Sequence, residues 1–281
     1  MDTKILSFDL DGTLLNGEHQ ITPITQDVIK ALKDMGHIII INTGRSYNAC
    51  NYYAKLIDAD YILASNGAVI YDNSKNELID KIPLDKKISR EILSILYRDQ
   101  IDLKIQWDSI ETYYSNNITP FETSYINNYK NDYPQSLFNY KIIKNFNEIK
   151  NFNEEITQIF FHCMGDNKTV YTKVIQELNQ LEHVNIVDFR SGYTDINHPL
   201  ASKGNGLKVL TQLLNMSMED VIVFGDGNND ISVFECAGVS VAMKNACLEL
   251  KELATIIADH HDKDGVASTL MDLFKFRHCF L

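Results

Sequence analysis

The 281-residue chain has no surplus of positive charge: 26 Lys and Arg stand against 38 Asp and Glu, giving a net charge of -12. That deficit excludes a non-specific nucleic-acid binder and an anionic-membrane binder, because both need a broad positive field. It does not exclude a small anion that is recognised locally. No apolar run approaches the roughly 20 residues of a membrane span. The N-terminal MDTKILSFDL lacks a basic segment followed by a long apolar stretch, so no signal peptide is expected. Cysteine is sparse: Cys50, Cys163, Cys236, Cys247 and Cys279 are scattered, odd in number and form no CxxC pair. Thiols in a reducing compartment, and hence a cytoplasmic location, are the expectation. Internal repeats, low-complexity tracts and charge blocks are missing too. What remains is ordinary globular composition, 44% hydrophobic and 23% charged, with length for roughly two domains.

Both ends of the chain alternate strand and helix signals. Lys4–Phe8 reads as a buried strand, and Thr22-Pro23 starts a helix carrying Val28, Ile29, Leu32 and Met35, which Gly36 closes. His37–Ile41 is almost uniformly β-branched, as in a strand covered on both faces. A helix over Tyr47–Ile57 and a strand at Tyr61–Ala64 follow. This order predicts a parallel sheet with right-handed crossovers. Val69–Tyr71 and Glu77–Ile82 read as a hairpin. The pattern resumes after Arg190, with strands at Val221–Phe224, Val239–Ala242 and Ile256–Ala258. Between lie less regular strands and helices, including Lys86–Tyr97, Leu103–Trp107, Glu111–Tyr114, Ile156–Cys163 and Val184–Phe189, which suggest a largely antiparallel α+β module. The expected fold class is α/β. Residues 1–83 and 191–281 form a Rossmann-like core, and residues 84–190 form an inserted α+β cap.

The segment Asp9-Leu10-Asp11-Gly12-Thr13-Leu14-Leu15 carries the first chemical signal. Alternation at a strand end would aim Asp9 and Asp11 into one space, where two carboxylates repel unless a cation or proton compensates them. Strand ends of this kind are where open α/β sheets bind ligands. A capped Asp-Gly-Thr turn accounts for the segment equally well when it is taken alone. The second cluster breaks the tie, because Gly225-Asp226-Gly227-Asn228-Asn229-Asp230 directly follows another buried strand. Hard oxygen ligands without nearby Cys favour Mg2+ over zinc. An EF-hand is excluded, since its twelfth position here is Ala237 and not Glu. Thr43-Gly44-Arg45 could hold a phosphate through a hydroxyl and adjacent amides, or could simply cap a helix. Lys203 opens a helix whose dipole favours anions, a mismatch that hints at a bound anion unless the side chain is merely a surface one. His162, His183 and His198 show no metal-ligand spacing, and His260-His261 between Asp259 and Asp262 is read as a solvated turn ahead of a metal site.

In this order the motifs resemble the haloacid dehalogenase-like hydrolase superfamily, most closely its Cof-type phosphatases with a large inserted cap. Asp9–Leu15, Thr43-Gly44-Arg45, Lys203 and Gly225–Asp230 match the four family motifs in sequence. Ser65-Asn66-Gly67-Ala68 and Asp264-Gly265-Val266-Ala267 also match. Two positions depart: Pro199-Leu200-Ala201-Ser202-Lys203 lacks the usual Gly, and Lys244 replaces a Gly before Asn245-Ala246.

The resemblance implies that Asp9 attacks phosphorus to form an aspartyl-phosphate while Asp11 serves as general acid and base. It further implies Mg2+ held by Asp9, Asp226 and the Asp11 carbonyl, with Asp230 acting through water or through bonds to the ligands. Thr43, Gly44, Lys203 and Asn229 would hold the phosphate oxygens. The expected activity is Mg2+-dependent hydrolysis of small phosphomonoesters such as sugar phosphates, flavin mononucleotide or pyridoxal phosphate. A phosphomutase using the same intermediate and a non-catalytic phosphometabolite regulator are the alternatives. The expected partner is a small phosphorylated metabolite, with no nucleic acid or membrane. Nothing indicates the oligomeric state. The cap would exclude water and choose the substrate, with Trp107, Tyr113, Tyr114 and Arg190 as candidate lining residues or ordinary core and surface ones.

Overall fold

The computed structural model describes residues 2–98, 103–110, 112–132, 139–150, 152–163, 168–188 and 192–275. Along the first arm run β1 (Ile5–Phe8), α1 (Pro23–Asp34), β2 (Ile38–Asn42), α2 (Tyr47–Leu56), β3 (Tyr61–Ala64), β4 (Val69–Asp72) and β5 (Glu77–Lys81). The middle of the chain holds α3 (Lys86–Arg98), β6 (Leu103–Asp108), β7 (Tyr113–Ser115), α4 (Pro120–Asp132), β8 (Tyr140–Ile142), β9 (Gln158–Cys163), α5 (Lys168–Leu178), β10 (Asn185–Asp188) and β11 (Tyr193–Asn197). The last arm adds α6 (Lys203–Leu213), β12 (Val221–Gly225), α7 (Ile231–Phe234), β13 (Val239–Ala242), α8 (Leu248–Leu253), β14 (Ile256–Ile257) and α9 (Gly265–Phe274). The chain divides into two compact units, one of Met1–Arg45, Cys50–Asp80 and Ser202–Leu281, the other of Ser46–Ala49 and Lys81–Ala201.

The first unit is built on a sheet of order β14-β13-β12-β1-β2-β3-β4-β5. From β14 to β3 its pairings are parallel, and β4 returns antiparallel to β3. Burial on both faces explains why β1 and β2 are almost wholly aliphatic: Ile5, Leu6, Phe8, Ile39, Ile40 and Ile41 are fully buried. β1 lies between β2 and β12, so the chain leaves it toward one side and comes back on the other. The register Phe8↔Phe224 sets the carboxyl ends of β1 and β12 side by side at this switch point. The α1 start matches the sequence signal, with Thr22 accepting the Thr25 amide at 3.4 Å and Pro23 at the first helical position. Met35 is half exposed, since the helix closes at Asp34 and Met35 is only its cap.

The second unit has a sheet of order β10-β11-β9-β6-β7-β8. Its pairings are antiparallel apart from the parallel pair β7–β8. Residues 191–201, expected in the core, group with this unit because β11 pairs with both β9 and β10. Its own hydrophobic core joins Ile92, Leu93 and Leu96 of α3 to Ile105, Trp107, Ile159 and Phe161 of the sheet. Trp107 and Tyr114 belong to that core, stacked at 5.2 Å and nearly parallel. Tyr113 stacks on Tyr140 at 5.4 Å. Arg190, Glu111 and Phe189 lie outside the described residues. Among the described residues no helix is long and apolar enough to cross a membrane.

Candidate active site

The site grows from the paired ends of β1 and β12. The Asp9 amide donates to the Phe224 carbonyl at 3.1 Å, carrying the parallel ladder one residue beyond β1. The chain then turns sharply, with the amides of Thr13 and Leu15 donating to the Leu10 carbonyl. Gly12 allows this turn at φ +74°, and a Cβ there would lie 2.3 Å from Asp226 Oδ2. Glycine therefore sets both the turn and the close approach of the two motifs. Strand alternation aimed Asp9 and Asp11 into one space, yet their environments differ because Asp11 already sits in the turn. Asp9 is buried, whereas the Asp11 side chain is about half exposed.

Lys203 is fully buried and donates to Asp9 Oδ1 at 2.7 Å and to Asp230 Oδ1 at 2.6 Å. The anion suggested by a lysine at a helix start is thus supplied by two carboxylates of the chain itself. Asp230 Oδ2 accepts the amides of Asp226 and Gly227 at 3.1 and 3.0 Å, so Asp230 holds its own loop in shape. One oxygen each from Asp9, Asp226 and Asp230 lies within 4.8 Å of the others. Burial, opposed by Lys203 and reinforced by the neighbouring carboxylates, leaves the Asp9 carboxyl well above its ordinary range. Burial first, then Asp230, pushes Asp226 up to about 7. Asp11 goes the other way. Burial raises it, but the Arg45 guanidinium outweighs burial and holds the carboxyl below its ordinary value.

Arg45 grips Asp11 in a bidentate pair, Nε to Oδ2 at 2.7 Å and a terminal guanidinium nitrogen to Oδ1 at 2.6 Å. That pairing was not expected, although Arg45 stands inside the second motif. The buried Thr43 hydroxyl accepts the Arg45 amide at 3.1 Å, and Thr43 and Gly44 lie between β2 and the start of α2. Asn229 Nδ2 donates to Asn66 Oδ1 at 3.0 Å, joining the fourth motif to the Ser65–Ala68 segment. Asn245 was also missed: its Nδ2 donates to the Gly12 carbonyl at 2.7 Å and faces Asp226 Oδ2 at 3.4 Å. The signal for it was present, since Asn245 lies in the segment where Lys244 departs from the family pattern. Lys244 itself is exposed and pairs with Asp259 at 3.6 Å.

Two aspartates just after β1, a buried lysine and an acidic loop after β12 define a hydrolase of one kind: the chain belongs to the haloacid dehalogenase-like hydrolase family, whose pattern matches residues 6–270. Among its relatives, the 5-amino-6-(5-phospho-D-ribitylamino)uracil phosphatase YcsE of Bacillus subtilis is 26% identical over 272 residues, covering 96% of this chain and 95% of that one. The phosphatase YwpJ of the same organism is 27% identical over 288 residues, covering 96% and 99%. A haloacid dehalogenase-like hydrolase from Bacteroides thetaiotaomicron shares the fold with a TM-score of 0.83 at 22% identity, over 97% of this chain and all of that one.

Proposed function

We propose that this protein is a Mg2+-dependent phosphatase acting on small organic phosphomonoesters through an aspartyl-phosphate on Asp9. The observation that carries the reading is the charge count of the site. Among the described residues, Asp9, Asp11, Asp226 and Asp230 meet two permanent cations, Lys203 and Arg45, with His19 Nδ1 3.9 Å from Asp11, so with all four carboxylates ionised the cluster is short of about two positive charges. A dication fits that deficit, and an all-oxygen donor set suits Mg2+ better than a thiol- or imidazole-seeking metal. Asp9, Asp226 and the main-chain carbonyl of Asp11 would hold the ion. When bound, it supplies positive charge against the carboxylates and phosphate oxygens.

The remaining chemistry belongs to the chain. An Asp9 oxygen forms a bond to phosphorus as the ester P–O bond breaks, and protonated Asp11 gives its proton to the leaving alkoxide. Water then attacks phosphorus, Asp11 takes a proton from it, and Asp9 is released with inorganic phosphate. Arg45 holds Asp11 ionised in the present arrangement, ready to act as the base. Transfer of Arg45 to an incoming phosphate would free Asp11 to carry a proton. Lys203, Thr43, Gly44 and Asn229 orient the transferring oxygens. The one reported relative whose name states a substrate, the 5-amino-6-(5-phospho-D-ribitylamino)uracil phosphatase, supports a phosphorylated polyol-like substrate. The insert, residues 84–190 with the adjoining β11, has its own core and suits the task of selecting that substrate.

Phosphate release measured across a panel of metabolites, with Mg2+ and with EDTA, tests the proposal. Turnover should require Mg2+ and vanish in Asp9→Asn. Full activity in that variant, or isomerisation of a sugar phosphate without phosphate release, would overturn it.

A further inference from the structure

The loop between β14 and α9 carries a second cluster of donor atoms, chemically unlike the carboxylate site. One donor atom each of His260, His261 and Asp262 lies within 4.8 Å of the others. His260 Nδ1 is 3.5 Å and His261 Nε2 3.8 Å from Asp262 Oδ2. Two ligands of a tetrahedral ion with bonds of about 2.0–2.1 Å stand about 3.3 Å apart, so these separations are within a few tenths of an ångström of ligating geometry.

The hydrogen bonds around the cluster orient it for that task. His261 Nδ1 lies 2.7 Å from the Leu15 carbonyl oxygen. A carbonyl only accepts, so Nδ1 is the donor there, and Nε2 is the nitrogen turned toward Asp262, at a distance too long for a hydrogen bond. A ring nitrogen donating to a backbone carbonyl while the other faces out is how metal-binding histidines are held. Asp262 Oδ1 accepts the Gly17 amide at 2.7 Å, leaving Oδ2 toward the imidazoles. Among the described residues, His260 Nδ1 accepts the Asp262 amide at 3.3 Å, a weak bond that an ion would replace. His261 is largely buried and His260 about one-third exposed, so the cluster is anchored yet reachable.

We propose that His260, His261 and Asp262 form a site for a borderline divalent transition-metal ion, with Zn2+ as its reference occupant. Two imidazoles and one carboxylate select such an ion over Mg2+, which the all-oxygen cluster suits. An ion here staples the 260–262 loop to the segment at Leu15 and Gly17 that follows the Asp9 motif. The His261 amide also donates to Asn245 Oδ1 at 3.3 Å, and Asn245 supports the Gly12 turn. Occupancy therefore stiffens the second layer of side chains behind the acidic site without entering it.

The test uses the full chain, stripped of metal and then saturated with Mg2+. Zn2+ binding is followed by calorimetry and Co2+ binding by visible absorption, and neither readout depends on catalysis. One equivalent of Zn2+ should bind in the presence of Mg2+ and raise the unfolding temperature. Asp262→Asn keeps the acceptor for Gly17 and should weaken Zn2+ at least tenfold. His260→Ala, which removes one ligand and one weak cap, should do the same, and the Co2+ spectrum should be lost in both. Equal Zn2+ affinity in wild type and both variants would overturn the proposal. So would displacement of Zn2+ by Mg2+, which would place the ion at the carboxylates.

Discussion

Among the described residues, each unit of the molecule buries one lysine completely, Lys203 in the core and Lys104 in the insert, and the two surroundings drive the ammonium groups in opposite directions. Burial alone would favour the neutral amine at both positions. At Lys203 of the core, burial is outweighed by Asp230 and Asp9, and the group is held charged, above its ordinary range. At Lys104 of the insert, burial wins over the one carboxylate present. Burial holds that lysine below its ordinary value although it donates to Glu122 at 2.8 Å, which raises it, and to the Asn117 carbonyl. One counter-charge does not offset the removal of an ammonium group from water; two do. The core site gathers Asp9, Asp11, Asp226 and Asp230 around Lys203 and Arg45, whereas Lys104 of the insert meets a single carboxylate.

The largest effect that would break this comparison is expected from Lys203→Met. It leaves Asp9 and Asp230 buried without their cation, which costs about 3–5 kcal/mol in denaturant unfolding at pH 7. An unchanged unfolding midpoint would mean that the carboxylates are already neutral or compensated elsewhere. A smaller loss, about 1–3 kcal/mol, is expected from Glu122→Gln, since a hydrogen bond to Lys104 survives the loss of charge. Adding Lys104→Met should recover most of that loss in thermal melts, because a neutral, well-packed pair replaces a desolvated ionic one.

An effect confined to a pH window concerns Asp108, a buried carboxyl of the insert with no cation beside it among the described residues. It accepts the Ile110 amide at 2.6 Å and Asn48 Nδ2, of the same unit, at 2.8 Å, and burial still pushes it up to about 6. A folded value above the unfolded 3.8 means that stability is fully present below about pH 4 and falls as pH rises through about 6. The stability difference between wild type and Asp108→Asn should therefore shift by at most about 3 kcal/mol across that window, favouring wild type at the acid end. Parallel stability–pH curves would show that Asp108 ionises freely.

Local signals were legible where one residue type does one job. β3 and β13 match the expected spans because runs of apolar residues there face burial on both sides. Thr22-Pro23 is equally plain as a helix start. β11 was not legible: Tyr193-Thr194-Asp195-Ile196-Asn197 alternates no apolar face, and Thr194, Asp195 and Asn197 are buried polar residues whose place depends on the strands beside them. In the site, Asp9, Asp226, Asp230 and Lys203 were recognisable as residue types in motifs. Neither the Arg45 grip on Asp11 nor the Asn245 bond to Gly12 was, since those partners lie 34 and 233 residues apart in the chain.

By itself the sequence determined the alternating α/β pattern, the interruption by a different module, and the acidic motifs at the ends of two apolar strands. These follow from periodicity and composition, which act over a few residues. Only the tertiary structure decided which charges meet. It chose Asp9 and Asp230 as the partners of Lys203, turned Asp11 toward Arg45, and gathered His260, His261 and Asp262 beside Leu15 and Gly17. The reason is physical: a charge taken out of water takes its energy from whatever faces it, and strand order and register choose those neighbours.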